Sequence, residues 1–274
     1  MKKYFAAAIQ IDTQSDKALN LSKLEHYIDE AAGRGALLIG MAEMVNYIGE
    51  GGGERENAES IPGETIHRLA IKAKQHGIWL HCGSIFERIE DSEMLYNTSV
   101  LLSPQGNIAA KYRKIHLFDV NVKNGPNFME SNTRQSGSDI VVASTPLGHL
   151  GLSICYDMRF PEIYRIMMLR KAQIVFVPAE FTLMTGKDHW ETILRTRAIE
   201  NQVYIIAPAQ MGVKPAYPTY GRSLIIDPWG NVIAKMPDQE GIILAEIDLD
   251  YLESVRRQIP CLNNRRPDLY DWNV

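Results

Sequence analysis

Three segments of this chain carry residue types suited to acyl-transfer chemistry, each at the end of a run that reads as a strand. Cys155 follows Leu147-Gly148-His149-Leu150-Gly151-Leu152-Ser153-Ile154, a short buried strand by its pattern, and precedes the polar run Tyr156-Asp157-Met158-Arg159-Phe160-Pro161-Glu162. A thiol at a strand exit stands where open α/β sheets place ligands. It is either a buried small residue or a nucleophile. Glu43 ends the run Leu38-Ile39-Gly40-Met41-Ala42, and Lys114 belongs to the basic cluster Lys111-Tyr112-Arg113-Lys114-Ile115-His116. Nucleophilic catalysis by cysteine needs a thiolate, a proton acceptor and a site for the oxyanion. A free thiol is mostly protonated at neutral pH, so a base or a cation must activate it. Histidine is the usual partner, yet of the seven histidines only His116 stands at a strand exit in polar company. If the three strand ends converge, Glu serves as base, Lys as fixed cation and Cys as nucleophile. Taken separately, each has a plain structural reading: a loop carboxylate, a solvated edge and a buried thiol.

Alternating strand and helix patterns must position those ends. Strands are expected over 4–11, 36–40, 78–86 and 97–102, with helices over 17–32 and 64–76 between them. The rhythm repeats with helices over 161–170 and 188–201 and strands over 173–178, 203–208, 223–227, 231–235 and 242–247. Pro161 falls in a first helical turn, where it costs no hydrogen bond. Asp188 is expected to cap its helix, with Glu191 completing a capping-box-like pair. Leu101-Leu102-Ser103-Pro104-Gln105-Gly106-Asn107-Ile108-Ala109-Ala110-Lys111 parallels Ile225-Ile226-Asp227-Pro228-Trp229-Gly230-Asn231-Val232-Ile233-Ala234-Lys235. Both read as strand, Pro-x-Gly turn, strand. The echo suggests two similar α/β halves whose sheets pack face to face with helices outside, an α-β-β-α sandwich. The aperiodic stretches 46–59 and 118–138 read as loops, and Gly51-Gly52-Gly53 lacks the strand-then-helix setting of a phosphate loop.

The 274 residues suffice for a substantial core, and 45% apolar with 23% charged content is ordinary for a globular protein. A net charge of −4 gives no electrostatic case for nucleic acid or an anionic membrane, and no stretch is apolar enough for a membrane span. Cys82, Cys155 and Cys261 are widely spaced, which argues against a disulfide framework and a zinc site; a cytoplasmic setting is the default. No cofactor or metal is expected.

The chain resembles the nitrilase (carbon–nitrogen hydrolase) superfamily. The matching segments are Met41-Ala42-Glu43, the stretch from Lys111 to Asp119, Gly151 to Glu162, Thr185 to Gln202, and Arg266-Pro267-Asp268-Leu269-Tyr270. Tyr156-Asp157-Met158-Arg159-Phe160-Pro161-Glu162 after the cysteine is similar to the amidase branch that holds ω-amidases and deaminated glutathione amidases. The resemblance implies a four-layer sandwich forming one domain over 1–274, with a tail from about 258, assembled as a homodimer or larger. It implies Glu43 as general base, Lys114 as oxyanion cation, Cys155 as nucleophile, Glu130 as a second glutamate and the Tyr156 N–H as a further oxyanion donor. The expected reaction is hydrolysis of a small carboxamide through a Cys acyl-thioester.

Two departures from the family pattern stand out: Ala42 where Pro usually precedes the base, and Glu180 in Val177-Pro178-Ala179-Glu180-Phe181-Thr182 where close amidases carry a small residue. Glu180 either meets a cationic or hydrogen-bond-donating substrate group or pairs structurally with a neighbour such as Arg195. Phe181, Thr182 and, from the Gly-rich loop, Tyr47 are further candidates for the pocket. The expected substrates are monoamides of dicarboxylates, α-ketoglutaramate and deaminated glutathione among them, with N-carbamoyl amines or aliphatic amides as the alternative. The rivals are a metal-dependent phosphoesterase on a similar sandwich and a non-catalytic interaction protein.

Overall fold

The computed structural model describes residues 1–50, 52–123, 125 and 127–270. The first half runs β1 (Lys3–Gln10), α1 (Lys17–Gly33), β2 (Ala36–Gly40), α2 (Gly53–Glu56), α3 (Glu64–His76), β3 (Trp79–His81), β4 (Ile85–Arg88), β5 (Leu95–Leu102) and β6 (Ile108–Arg113). A ribbon of β7 (Asp119–Asn121) and β8 (Asn127–Met129) follows. The second half runs β9 (Val141–Thr145), β10 (Gly148–Leu152), α4 (Pro161–Leu169), β11 (Ile174–Phe176), α5 (Leu183–Thr185), α6 (Glu191–Asn201), β12 (Tyr204–Ala207), β13 (Leu224–Ile226) and β14 (Val232–Lys235). β15 (Gly241–Asp248) and α7 (Leu249–Gln258) close the order. Among the described residues no helix is long and apolar enough to cross a membrane.

The two halves repeat one topology. In the first sheet β1, β2 and β3 are parallel, β15 flanks β1 antiparallel, and β5 carries β3 and β4 on one edge and β6 on the other. In the second sheet β10, β11 and β12 are parallel, β9 flanks β10 antiparallel, and β13 with β14 closes the far edge. The repeated Pro-x-Gly segments form equivalent hairpins. Gly106 and Gly230 have φ of 80° and 92°, and their N–H groups donate to Ser103 and Asp227 at 2.8 and 2.9 Å. Positive φ at those two turns is what glycine supplies without steric cost.

Alternation along each strand sorts side chains between two layers. On β1, Tyr4, Ala6 and Ala8 join the cluster shared with the second sheet, whereas Ala7 and Ile9 join Leu21, Leu24 and Ile28 of α1 and Leu69 of α3. On the other side Ile163 and Met167 of α4 and Leu194 of α6 pack on the second sheet. The order is helix, sheet, sheet, helix. Where the sheets meet, the His81 ring stacks on Phe176 at 4.3 Å, and burial drives His81 down to a pKa of about 3, so the ring is neutral there. Gly40 lets Phe176 approach: a Cβ there would lie 2.8 Å from Phe176 Cε1.

Two expected elements differ. The strand over 78–86 is broken into β3 and β4 at Cys82-Gly83-Ser84. Gly83 has φ of 60°, and a Cβ on it would run into the Ala42 carbonyl. The break admits the loop after β2, whose Val45 N–H donates to Ser84 O at 3.0 Å, while the Ser84 N–H donates to Ala42 O at 3.2 Å. The helix expected over 188–201 begins earlier and is not capped by Asp188. Thr182 caps it, its Oγ1 accepting from the Thr185 N–H at 3.3 Å, and a π turn over Gly186–Trp190 leads into α6. Glu191 instead pairs with Lys235 at 2.7 Å. The stretch 118–138 holds the β7–β8 ribbon and a 3₁₀ turn over Glu130–Asn132. Gly51 lies outside the described residues, and Gly53 starts α2.

The Gly40–Phe176 contact makes a stability test. Gly40→Ala overpacks the space between the sheets and is expected to cost about 1–3 kcal/mol, read as a lower urea midpoint. Phe176→Leu in the same chain should recover part of it; an unchanged midpoint for Gly40→Ala would contradict this packing.

Candidate active site

Four ionisable side chains from four separate segments meet at the strand ends. Glu43 leaves β2, Lys114 leaves β6, Glu130 stands on the 3₁₀ turn after β8, and Cys155 opens the turn after β10. All four are at least nine-tenths buried. Lys114 Nζ donates to Glu130 Oε2 at 2.8 Å and to Glu43 Oε1 at 3.3 Å. Burial works against the lysine charge, but Glu130 and Glu43 outweigh it and hold the ammonium above the usual lysine range.

Glu43 is fixed at both oxygens. Its Oε1 also accepts from Asn97 Nδ2 at 2.8 Å, and its Oε2 accepts from the Glu180 backbone N–H at 2.7 Å. Gln210 Nε2 donates to the Glu43 carbonyl at 2.8 Å and to Thr13 Oγ1 at 2.8 Å, tying Glu43 to the second half. Glu130 Oε2 is held in turn by the Phe118 N–H at 2.6 Å.

Cys155 has φ of 46°, a left-handed conformation that a non-glycine residue adopts at a cost of order 1–3 kcal/mol. Its own N–H donates to Pro178 O at 2.8 Å. Asp157, fully buried, holds the turn from the other side. Its Oδ2 accepts from the Ile154 N–H at 2.8 Å and from Tyr112 Oη at 2.6 Å, while its Oδ1 accepts from the His116 N–H at 3.1 Å and contacts His116 Nδ1 at 2.7 Å. One carboxylate thus locks the cysteine turn to the strand end that carries Lys114. Among the described residues no protein acceptor takes the Tyr156 N–H. Burial pushes the Cys155 thiol well above its usual range. The Glu43 charge adds to that and the Lys114 ammonium opposes it, so the thiol is protonated before any reaction.

These groups line one end of a cavity of about 560 Å³. Glu180, Phe181 and Thr182 line it, together with Lys214 and Tyr217 from the loop after β12. Tyr47 does not line it. Its hydroxyl fills the space over Gly49 and Gly53, where any Cβ would collide with it, so it supports the loop from behind. Glu180 does not pair with Arg195, which donates to Gly230 O at 2.8 Å. Arg159 has no carboxylate partner among the described residues and lies over the Phe181 and Tyr156 rings at 5.2 and 5.9 Å. Sequence reasoning missed Asn97, Asp157 and Gln210. Asp157 alone left a signal, a carboxylate two residues beyond the thiol. Among the described residues no group of three or more His, Cys, Asp or Glu side chains is arranged to hold a metal ion.

A cysteine, a lysine and two glutamates are thus buried together at the strand ends of a four-layer α/β sandwich, with no histidine among them. The carbon–nitrogen hydrolase family model matches residues 5–257, and the chain belongs to that family. It is 42% identical to a deaminated glutathione amidase of Synechocystis over 269 residues, 97% of this chain and 99% of that one. It is 41% identical to the human omega-amidase NIT2 over 272 residues, 98% of each. The C. elegans NitFhit protein superposes with a TM-score of 0.93 at 35% identity, over 99% of this chain and 67% of that one.

Two outcomes are expected. Iodoacetamide labelling of Cys155, followed by peptide mass spectrometry, should speed up about tenfold per pH unit from 7 to 9, because the thiolate fraction grows that way below a raised pKa; a plateau in that interval would refute the protonated resting thiol. Asp157→Asn turns an acceptor of several hydrogen bonds into a partial donor and should cost about 2–4 kcal/mol in urea unfolding.

Proposed function

We propose that the protein hydrolyses small carboxamides to the carboxylate and ammonia through a covalent intermediate on Cys155. The convergence of Glu43, Lys114 and Cys155 on one end of the cavity carries this reading. Glu43 takes the Sγ proton as sulfur bonds to the amide carbon. The carbonyl oxygen becomes an oxyanion facing the Lys114 ammonium and the Tyr156 N–H. As the tetrahedral species collapses the C–N bond breaks, and Glu43 passes its proton to the leaving nitrogen. The acyl-thioester is then attacked by water, whose proton goes to Glu43. The S–C bond breaks, and the cysteine sulfur recovers a proton from Glu43. A thiol protonated at rest needs such a base at the moment of attack. Glu130 holds Lys114 in place, and its Oε1 remains available to an amide N–H.

The substrate class is the terminal amide of a dicarboxylate monoamide, as the names of the deaminated glutathione amidase and omega-amidase relatives suggest. The same site accommodates N-carbamoyl amines or aliphatic amides. We place the enzyme in the cytoplasm as one catalytic domain over 1–274 that self-associates, with Ile259, Leu269 and Tyr270 leaving exposed apolar surface on the tail.

Ammonia release from α-ketoglutaramate, aliphatic amides, carbamoyl amines and a nitrile, together with release of cysteinylglycine from deaminated glutathione, whose amide nitrogen carries that dipeptide, tests the reading. Cys155→Ala should abolish turnover. Glu43→Gln should lower kcat about 10²–10⁴-fold, and Lys114→Met about 10²–10³-fold if it folds. Intact mass during turnover should show the acyl adduct on Cys155. Normal ammonia release by Cys155→Ala would refute the mechanism.

A further inference from the structure

Glu180 is the buried carboxylate of the cavity that lacks an ion-pair partner. Glu43 and Glu130 share Lys114, and Glu54 pairs with Arg134. Lys214, the other cation near Glu180, is committed elsewhere: its Nζ donates to Asp12 Oδ1 and, at 2.8 Å, to Thr13 O. No cation lies within ion-pair distance of Glu180 among the described residues, and the one side-chain hydrogen bond it receives is a long contact of 3.4 Å from Tyr217 Oη. Yet it is only 8% exposed and lines the cavity. Burying a carboxylate without a partner is costly unless a ligand supplies one. The side chain is not needed to hold Glu43, because the backbone N–H of Glu180 makes that contact.

We propose that Glu180 is a specificity-determining residue that selects acyl groups carrying a cationic nitrogen, so that the preferred amides are those of amino-substituted acids. This rests on the amidase reading above and moves its preferred acyl group from keto-substituted to amino-substituted acids. An ammonium opposite Glu180 supplies the missing charge-assisted hydrogen bond in a pocket shielded from water. A methylene or keto group in the same place leaves the carboxylate unpartnered.

The surroundings of Glu180 predict how the preference depends on pH. Burial and the charge of Glu43, with a smaller push from Glu54, raise it to about 8; Lys214 and Lys114 pull the other way, and Tyr217 donates to it. Below that pH the free site holds a neutral acid, which pairs poorly with a cation. Above it the carboxylate is ionised while an aliphatic ammonium is still charged. Preference for the cationic amide should therefore grow as pH rises through about 8 and then level off.

The test compares β-alaninamide, 4-aminobutanamide and 5-aminopentanamide with butanamide, pentanamide and hexanamide, pairs that differ by an ammonium in place of a methyl; these amines lie far enough from the amide to keep their charge above pH 8. For at least one pair the native enzyme should show kcat/KM about 10- to 100-fold higher for the cation, mostly through KM and rising from pH 7 to pH 9. Glu180→Gln should remove most of that ratio and its pH dependence, and Glu180→Asp should restore part of both. Equal or greater activity on every neutral partner, or a ratio that Glu180→Gln leaves in place, overturns this inference alone. If these amides and the dicarboxylate monoamides are all inert, the amidase reading fails and this inference with it. The native ratio and its pH profile stand without any variant, so a poorly folding Glu180→Gln leaves the test intact.

Discussion

The buried ammonium of Lys114 is the constraint on which the rest of the site depends. A lysine this deep is tolerable only if carboxylates meet it at hydrogen-bond distance, because removing one partner from a buried ion pair typically costs about 3–5 kcal/mol. Glu130 and Glu43 meet it from opposite sides of the chain's order, at 2.8 and 3.3 Å. Each of them needs support of its own, and the support comes from further segments: Asn97 and the Glu180 N–H for Glu43, the Phe118 N–H for Glu130. The cluster therefore closes only when both halves are folded and docked.

Docking is governed by small residues at close approaches. Gly40 lets Phe176 lie against the first sheet, and Gly83 lets the loop carrying Glu43 press against the break between β3 and β4. Asp157 and Gln210 then stitch the halves together with buried hydrogen bonds that no exposed loop could keep. The result is a preorganised set of side chains. Both oxygens of Glu43 are held, the cysteine turn is strained but clamped from two sides, and the cation between them keeps its charge. Such fixed dipoles and charges need little rearrangement when charge develops on a substrate.

A protonated thiol beside a lysine and a glutamate differs from the thiolate–imidazolium pairs of many cysteine enzymes. Here burial and the neighbouring Glu43 charge outweigh the lysine, so the thiol rests protonated. The same dryness raises Glu180. One physical cause, exclusion of water from the strand ends, tunes both the thiol and the pocket.

Much of this was legible from residue order, because hydrophobic periodicity and turn chemistry are local. The strands before Glu43 and Cys155, the helices over α1, α3 and α4, and the paired Pro-x-Gly hairpins all follow from spacings of a few residues. The residue types at Glu43, Lys114 and Cys155 pointed to a chemistry, and the family resemblance added Glu130. The tertiary structure alone decided the rest. Whether Glu180 met Arg195, whether Tyr47 faced the pocket, and why the strand over 78–86 breaks at Gly83 depend on which strand ends face one another across two sheets. Asn97 and Gln210 act through partners dozens of residues away or more, and Asp157 joins nearby Ile154 to the distant Tyr112 and His116. Local pattern says which face of an element is apolar; only the packing of both sheets settles which polar groups are left to satisfy each other between them.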